Sequence, residues 1–192
     1  MTEKINRCPW GSDNPIMIKY HDEEWGVHYK DDKKLFEFLT LESAQAGLNW
    51  ELILSKREGY RKAFADFDVE RVAKFSENKI QEILLYKGVI RNKLKINAAV
   101  QNAKLFIEVQ KEFGSFYKYS MQFVGGKPLI NKRKKTSDCP ATTYESDLFS
   151  KDLKSRGFKF VGSTIVYAHM QACGMVNDHL SSCFRYNEIN NS

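Results

Sequence analysis

Helical periodicity runs through most of the chain, and one acid sits where an apolar residue is expected. Leu35, Leu39, Glu42 and Ala46 recur at i, i+4, i+7 and i+11, which is one face of a helix. Three of the four are apolar, so the pattern predicts that Glu42 faces inward. A buried carboxylate is costly unless something satisfies it. Asp31 or Asp32 can cap this helix at its start, and Gly47 stops it. Asn49 can cap a second helix, predicted from Trp50 to about Phe64 with Leu52, Ile53, Tyr60 and Phe64 inward. A buried carboxylate, a helix-breaking turn and a large aromatic thus fall within nine residues. Two readings fit. One is a pocket for a flat ligand with polar edges. The other is a structural ion pair between Glu42 and an Arg or Lys, beside a core Trp.

The rest of the chain continues the helical pattern. The segment from Cys8 to Gly26 reads as a turn, a short helix from about Pro15 and a loop. Asp68 and Ser76 look like N-caps of short helices, the second with Ile80, Ile83, Leu84 and Leu85 on its buried side. A tight turn at Gly88 then separates that helix from a long one, about Arg91 to Phe113, with Leu94, Ala98, Leu105 and Ile107 among its apolar positions. The two make a hairpin near residues 76–113. It is either an ordinary helical hairpin or one whose turn N–H groups hold a DNA phosphate. A Gly-hydrophobic-Gly turn would be the stronger signal, and Ile90 stands at the third position. Ser115 to Val124 reads as a helix ended by Gly125-Gly126. Thr143 caps a helix to Arg156, and Ser163 caps one to Cys173. Residues Lys127 to Pro140, with Lys132-Arg133-Lys134-Lys135, read as an exposed loop that is solvated or touches phosphate. No convincing strand pair and no internal repeat is visible, so the chain is predicted to be all-α.

Composition narrows the setting. The chain has 192 residues, enough for one compact domain or two small lobes sharing a core. Thirty basic and 24 acidic residues leave a net charge of +6, which suits an anionic partner without demanding one. No run is long and apolar enough to span a membrane. Met1 to Arg7 lack the apolar core of a signal peptide. The four cysteines, Cys8, Cys139, Cys173 and Cys183, are too scattered to suggest a disulfide framework. Cys8 pairs in spacing with His21, and His179 with Cys183. Together they form a Cys2His2 set, the composition of a closed tetrahedral zinc site that ties the two ends of the chain. Buried thiols and hydrogen-bonded histidines are the alternative. His28, His169, Cys139 and Cys173 have no comparable partner and read as structural.

Several stretches resemble a known family. They are Cys8-Pro9-Trp10, Tyr20-His21-Asp22-Glu23-Glu24-Trp25-Gly26, Leu41-Glu42 and Gln45-Ala46-Gly47-Leu48-Asn49-Trp50. To these add Gly157-Phe158-Lys159-Phe160-Val161-Gly162, Met170-Gln171-Ala172-Cys173-Gly174 and Asn177-Asp178-His179. In order and in kind they are similar to the constitutive bacterial 3-methyladenine DNA glycosylases, and they span nearly the whole chain. The resemblance implies one helix-hairpin-helix glycosylase domain over residues 1–192, with two helical lobes around one pocket. It implies one structural zinc held by Cys8, His21, His179 and Cys183, and a monomer acting in the cytoplasm on double-stranded DNA that contains alkylated purines. The residue matching Glu42 would bind the edge of the base. Those matching Trp50 and Tyr20 would pack on it, and those matching Trp10 and Trp25 would wall the pocket. The chain departs from the family at Met17, where Tyr is common. A thioether still packs on a purine, but as a softer, apolar wall.

The residues also restrict the mechanism. No Asp occurs between Asp68 and Asp138, although most helix-hairpin-helix glycosylases place a catalytic Asp in the helices after the hairpin. With no lysine evidently placed for lyase chemistry, the expectation is a monofunctional hydrolase. A cationic base leaves easily, so extrusion and correct holding can suffice. Glu42 is the candidate catalytic residue, and Trp50 the candidate stacking residue. Gly47-Leu48 is a candidate wedge for the gap left by an extruded base, with core packing as the other role open to Leu48. Lys87-Gly88-Val89 is the candidate phosphate grip. Two other readings keep the same residues: a zinc-clipped sensor of alkylated DNA that does not cleave, and a metallohydrolase. Four protein ligands leave a metal no open position, which counts against the second.

Overall fold

Residues 5–11 and 14–191 are described by the computed structural model. Eleven α-helices are seen among them. They run α1 (Pro15–Glu23), α2 (Asp32–Gln45), α3 (Trp50–Ser55), α4 (Arg57–Ala63), α5 (Val69–Ala73) and α6 (Glu77–Leu85). Then come α7 (Lys93–Phe113), α8 (Phe116–Met121), α9 (Tyr144–Ser155), α10 (Ser163–Ala172) and α11 (Phe184–Asn190). Helix α2 is the axis of the fold. Every residue from Leu35 to Ala44 is buried, and α3, α7, α8 and α10 pack around it. Aromatic rings fill the space between them. Phe106 stacks on Phe116 at 4.1 Å, and Phe36 meets Phe106 edge-on at 5.3 Å.

Local chemistry sets most of the boundaries. Asn14, Asp31, Asn49, Asp68, Ser76, Asn92, Ser115 and Thr143 each accept a backbone N–H in the first turn of the helix that follows. Asp31 therefore caps α2, while Asp32 reaches across to the N–H groups of Phe116 and Tyr117 at 2.8 and 2.9 Å and caps α8.

Four expectations change. The helix from Trp50 breaks at Lys56, whose φ/ψ of −98°/0° separates α3 from α4. Gly162, not Ser163, is the residue before α10, because Ser163 already has helical geometry there. Leu85 and Leu94 are 80% and 70% exposed, since the α6–α7 turn carries them off the packed face. A short parallel strand pair also exists, β1 (Leu129–Ile130) with β2 (Val176–Asn177). It was invisible in sequence because each strand has only two residues. It continues to an isolated bridge between Arg133 and Leu180, so part of the basic loop is anchored rather than solvated.

Beside α2 lies a nearly buried charge network. Arg57 donates to Glu24 at 2.7 and 2.8 Å and to Glu37 at 2.6 Å; Lys34 lies 3.1 Å from both acids. Burial alone would raise the Glu24 and Glu37 carboxyls, but Arg57 and Lys34 override it and hold both below the ordinary value. Removing Arg57 would leave two acids with too little compensation. Arg57→Ala is expected to cost about 3–5 kcal/mol, read from urea unfolding. A loss below about 1 kcal/mol would show the network to be dispensable.

Candidate functional site

Tyr20 and His21 are adjacent on α1 and face different sites. Tyr20 turns into a cavity of about 330 Å³, and His21 into a cluster of metal-ligand side chains. The cavity gathers all six residues expected at a base pocket: Trp10, Met17, Tyr20, Trp25, Glu42 and Trp50. Their rings form its walls. Tyr20 and Trp50 lie 5.3 Å apart at 56°, and Trp10 meets Trp25 edge-on at 4.8 Å.

Glu42 is 3% exposed, and its Oε2 has no hydrogen-bond partner among the described residues. The Nε1 of Trp50 is likewise buried and unpartnered. The ion pair anticipated as an alternative for Glu42 is therefore made by Glu24 and Glu37 instead. Burial pushes the Glu42 carboxyl up to about 8. Burial also raises the Tyr20 phenol well above its ordinary value, and the charge of Glu42 adds to that. The cavity thus combines flat apolar walls with polar groups that lack protein partners. A flat ligand with hydrogen-bonding edges matches both.

Sequence reasoning missed part of the lining. Gln45, Thr136, Cys139 and Gln171 also face the cavity, as does Asp178. From sequence Cys139 reads as structural, because nothing there brings the 127–140 loop to α2. Asp178 is buried and takes four donors: Asn131 at 2.7 Å, Arg133 at 3.1 Å, Gln171 at 2.8 Å and the Tyr167 hydroxyl. Both of its oxygens are occupied. It is a carboxylate at the pocket wall, but a neutralised one, in contrast to Glu42.

The metal cluster brings together Cys8, His21, His179 and Cys183, with ligand atoms all within 4.8 Å of one another. Cys183 Sγ lies 3.4 Å from His21 Nε2 and 3.6 Å from His179 Nδ1, and Cys8 Sγ lies 3.7 Å from His179 Nδ1. The outer ring nitrogens are held too. His21 Nδ1 is 2.7 Å from Asp22, which Arg7 clasps in turn, and His179 Nε2 is 2.9 Å from the Trp25 carbonyl. Such outer partners orient histidines that bind metal. The set can hold a metal ion with no position left open.

The residues expected to meet DNA are dispersed over two turns. Gly47 has φ of +75°, a conformation that L side chains rarely adopt, and Leu48 beside it is 40% exposed. At the hairpin, Lys87 is exposed but Val89 is buried, so Val89 can contribute only backbone. Helix α4 braces this turn. Lys56 Nζ donates to the Lys87 carbonyl at 2.9 Å, and the Ile90 N–H reaches the Tyr60 hydroxyl at 3.3 Å. A Cβ on Gly59 would sit 2.0 Å from the Gly88 oxygen, so only glycine permits this approach. The N–H groups of Lys87 and Gly88 have no acceptor among the described residues.

Taken together, fold and cavity define a helical protein with a pocket whose walls suit a flat heteroaromatic ring. Residues 10–186 match the methyladenine glycosylase family, and the chain belongs to it. It is 44% identical over 182 residues to DNA-3-methyladenine glycosylase 1 of Escherichia coli K12, covering 95% of this chain and 97% of that protein. It is also similar to the structure of 3-methyladenine DNA glycosylase I from Staphylococcus aureus, which addresses recognition of 3-methyladenine. That match has 36% identity and a TM-score of 0.90, covering 94% of this chain and 96% of that one. A variant 3-methyladenine DNA glycosylase I in complex with 3-methyladenine matches at 35% identity and a TM-score of 0.90, over 94% of this chain and 97% of that one.

The raised Glu42 carboxyl makes stability depend on pH. The folded chain keeps a proton that the unfolded chain releases above about 4.5, until the folded group itself ionises near 8. Its stability contribution is therefore complete below that window and is lost as pH climbs through it. Glu42→Gln, which cannot ionise, is expected to lose less stability than wild type between about pH 5 and pH 8. The gap should reach a few kcal/mol in urea unfolding. Parallel pH profiles for the two proteins would place the Glu42 carboxyl at an ordinary value.

Proposed function

We propose that this protein is a monofunctional DNA glycosylase. It hydrolyses the N-glycosidic bond of 3-methyladenine in alkylated DNA and leaves an abasic site. The observation that carries the reading is the unpartnered Glu42 carboxyl in the wall of an aromatic cavity, within a chain of the methyladenine glycosylase family. On this reading the whole chain works as one glycosylase domain, two helical lobes around the pocket, and α6–α7 is its helix-hairpin-helix. The protein acts as a monomer in the cytoplasm. No described helix is long and apolar enough to cross a membrane.

The chemistry follows from charge. A 3-methylated adenine in DNA carries a positive charge, and an ionised Glu42 in a water-poor cavity attracts it strongly. Binding the cation therefore favours release of the Glu42 proton. The base stacks on Trp50 against Tyr20, with Trp10, Trp25 and Met17 as the remaining walls. Stacking of this kind contributes about 1–3 kcal/mol. Water then adds to the sugar carbon as the C–N bond breaks. The bonding electrons go to the base, which leaves neutral, and one proton passes to solvent. Asp178 is fully engaged by its four donors, so the reading assigns the sugar cation no free aspartate. DNA is held by Lys87-Gly88-Val89, and Gly47-Leu48 enters the gap the base leaves.

Zinc is the ion the cluster fits. Tetrahedral bonds of about 2.3 Å to sulfur and 2.0–2.1 Å to nitrogen set ligand atoms about 3.5 Å apart. Three of the four sulfur–nitrogen distances here run from 3.4 to 3.7 Å, and all the ligand atoms lie within 4.8 Å of one another. The ion supplies cross-linking, since Cys8, His21, His179 and Cys183 close the site and join the two ends of the chain.

Two measurements test the reading. Chromatography of bases released from methylated duplex DNA should find 3-methyladenine, and Glu42→Gln should release it roughly a hundredfold more slowly. Turnover by the variant equal to wild type would remove Glu42 from the role. Binding of methylated DNA without release would favour the non-cleaving sensor. Separately, purified protein should carry one zinc per chain, and Cys183→Ala should lose it together with several degrees of Tm. Metal-free protein of unchanged Tm would reduce the cluster to hydrogen-bonded thiols and imidazoles.

A further inference from the structure

One side chain joins the hairpin to the turn beside Glu42, and neither the cavity nor the metal cluster uses it. Lys95 lies in the first turn of α7, directly after the hairpin, where the Asn92 side chain accepts its N–H. Its Nζ crosses to the end of α2 and donates to the Ala44 carbonyl at 2.8 Å and the Ala46 carbonyl at 2.6 Å. Carbonyls in the last turn of a helix lack N–H partners within it, and a cation there also meets the negative end of the helix dipole. Burial lowers the Lys95 ammonium from its ordinary value. Its two carbonyl acceptors favour the charged form.

The segment held this way is a defined turn. Ala46 has φ/ψ of −43°/116°, Gly47 has φ of +75°, and the Leu48 N–H meets the Gln45 carbonyl at 2.6 Å. That is a type II turn with glycine where a positive φ is needed. Types I and II differ by a flip of the central peptide, here Ala46–Gly47. The Ala46 oxygen held by Lys95 belongs to that peptide. The N–H on its opposite edge, that of Gly47, has no acceptor among the described residues. A Cβ added at Gly47 would meet nothing within 4 Å, so this side of the turn is open. Leu48 follows, exposed.

We propose that Lys95 is a positioning residue. It locks the Ala46–Gly47 peptide with its N–H outward and Leu48 set to enter the duplex, and it ties this turn to the hairpin's seat on the DNA backbone. The proposal rests on the glycosylase reading above. Lys95 touches neither base nor sugar. Without it the central peptide is free to flip and Leu48 loses its direction. The cavity keeps its form, because Glu42 lies about one helical turn earlier in α2.

The test compares wild type, Lys95→Met and Lys95→Arg. Release of 3-methyladenine is measured from methylated duplex and from methylated single strands. Binding of free 3-methyladenine, and of undamaged duplex across a salt series, is measured alongside. Lys95→Met is expected to lower kcat on duplex roughly ten- to a hundredfold, with free-base affinity within about twofold of wild type. Its loss on single strands, which leave no stacked gap to fill, should be clearly smaller. Lys95→Arg keeps donors for both carbonyls and should recover most of the rate. The salt slope of duplex binding should stay as in wild type. Equal losses on the two DNA forms, or a matching loss of free-base affinity, would overturn the proposal in favour of a general structural role. A salt slope shallower by about one would overturn it by making Lys95 a direct phosphate contact. Absence of base release by the wild type on any DNA would refute the glycosylase reading itself and this proposal with it.

Discussion

Burial of a carboxyl group without a counter-charge governs the centre of this protein. Glu37 and Glu42 lie on the same buried helix, five residues apart. Glu37 meets Arg57, Lys34 and Arg61 and stays ionised. Glu42 meets no cation, and burial drives its carboxyl up to about 8. The fold therefore separates two uses of one residue type. One acid ties α2 to its neighbours. The other is left unsatisfied at the wall of a cavity, an arrangement that costs stability and that a ligand with a hydrogen-bonding edge can complete. Asp178 sharpens the contrast, since it borders the same cavity with both oxygens engaged.

The cavity and the metal cluster are built as one piece. Cys8 and Leu180 border both, because the Leu180 N–H donates to the Cys8 sulfur and both residues line the cavity. Trp10 packs edge-on against His21 at 5.2 Å, and the Trp25 carbonyl orients His179. Two walls of the cavity are thus packed against the Cys/His cluster. That contact couples the Cys/His cluster to the shape of the cavity.

How far the site was legible in sequence follows from how local its signals were. Glu42 could be found because helical spacing puts it among apolar neighbours, and the caps at Asn49, Asp68 and Ser76 because a side chain and an N–H three residues on are enough to make them. The break at Lys56 left no local sign. Leu85 and Leu94 kept an apolar pattern whose outer members the hairpin turn exposes. Cys139 and Asp178 lie in segments that follow β1 and β2, a pairing between stretches more than 40 residues apart, and Gln171 comes to the cavity on α10, which packs against α2. Arg133 shows the same limit. In a run of four basic residues it reads as solvated, yet it is drawn inward by a carboxylate 45 positions later.

Sequence alone determined the helical class, most helix starts, the inward direction of Glu42 and the set of residues able to bind metal. These depend on spacing, capping and side-chain chemistry within a few turns, or on motifs shared across the family. Tertiary structure decided which acid would go unpaired, which turn would be braced and where the cavity would close. Each of those depends on the distance between groups far apart in the chain. A carboxylate is reactive or inert according to whether a guanidinium reaches it, and only the packing of helices around α2 sets that distance.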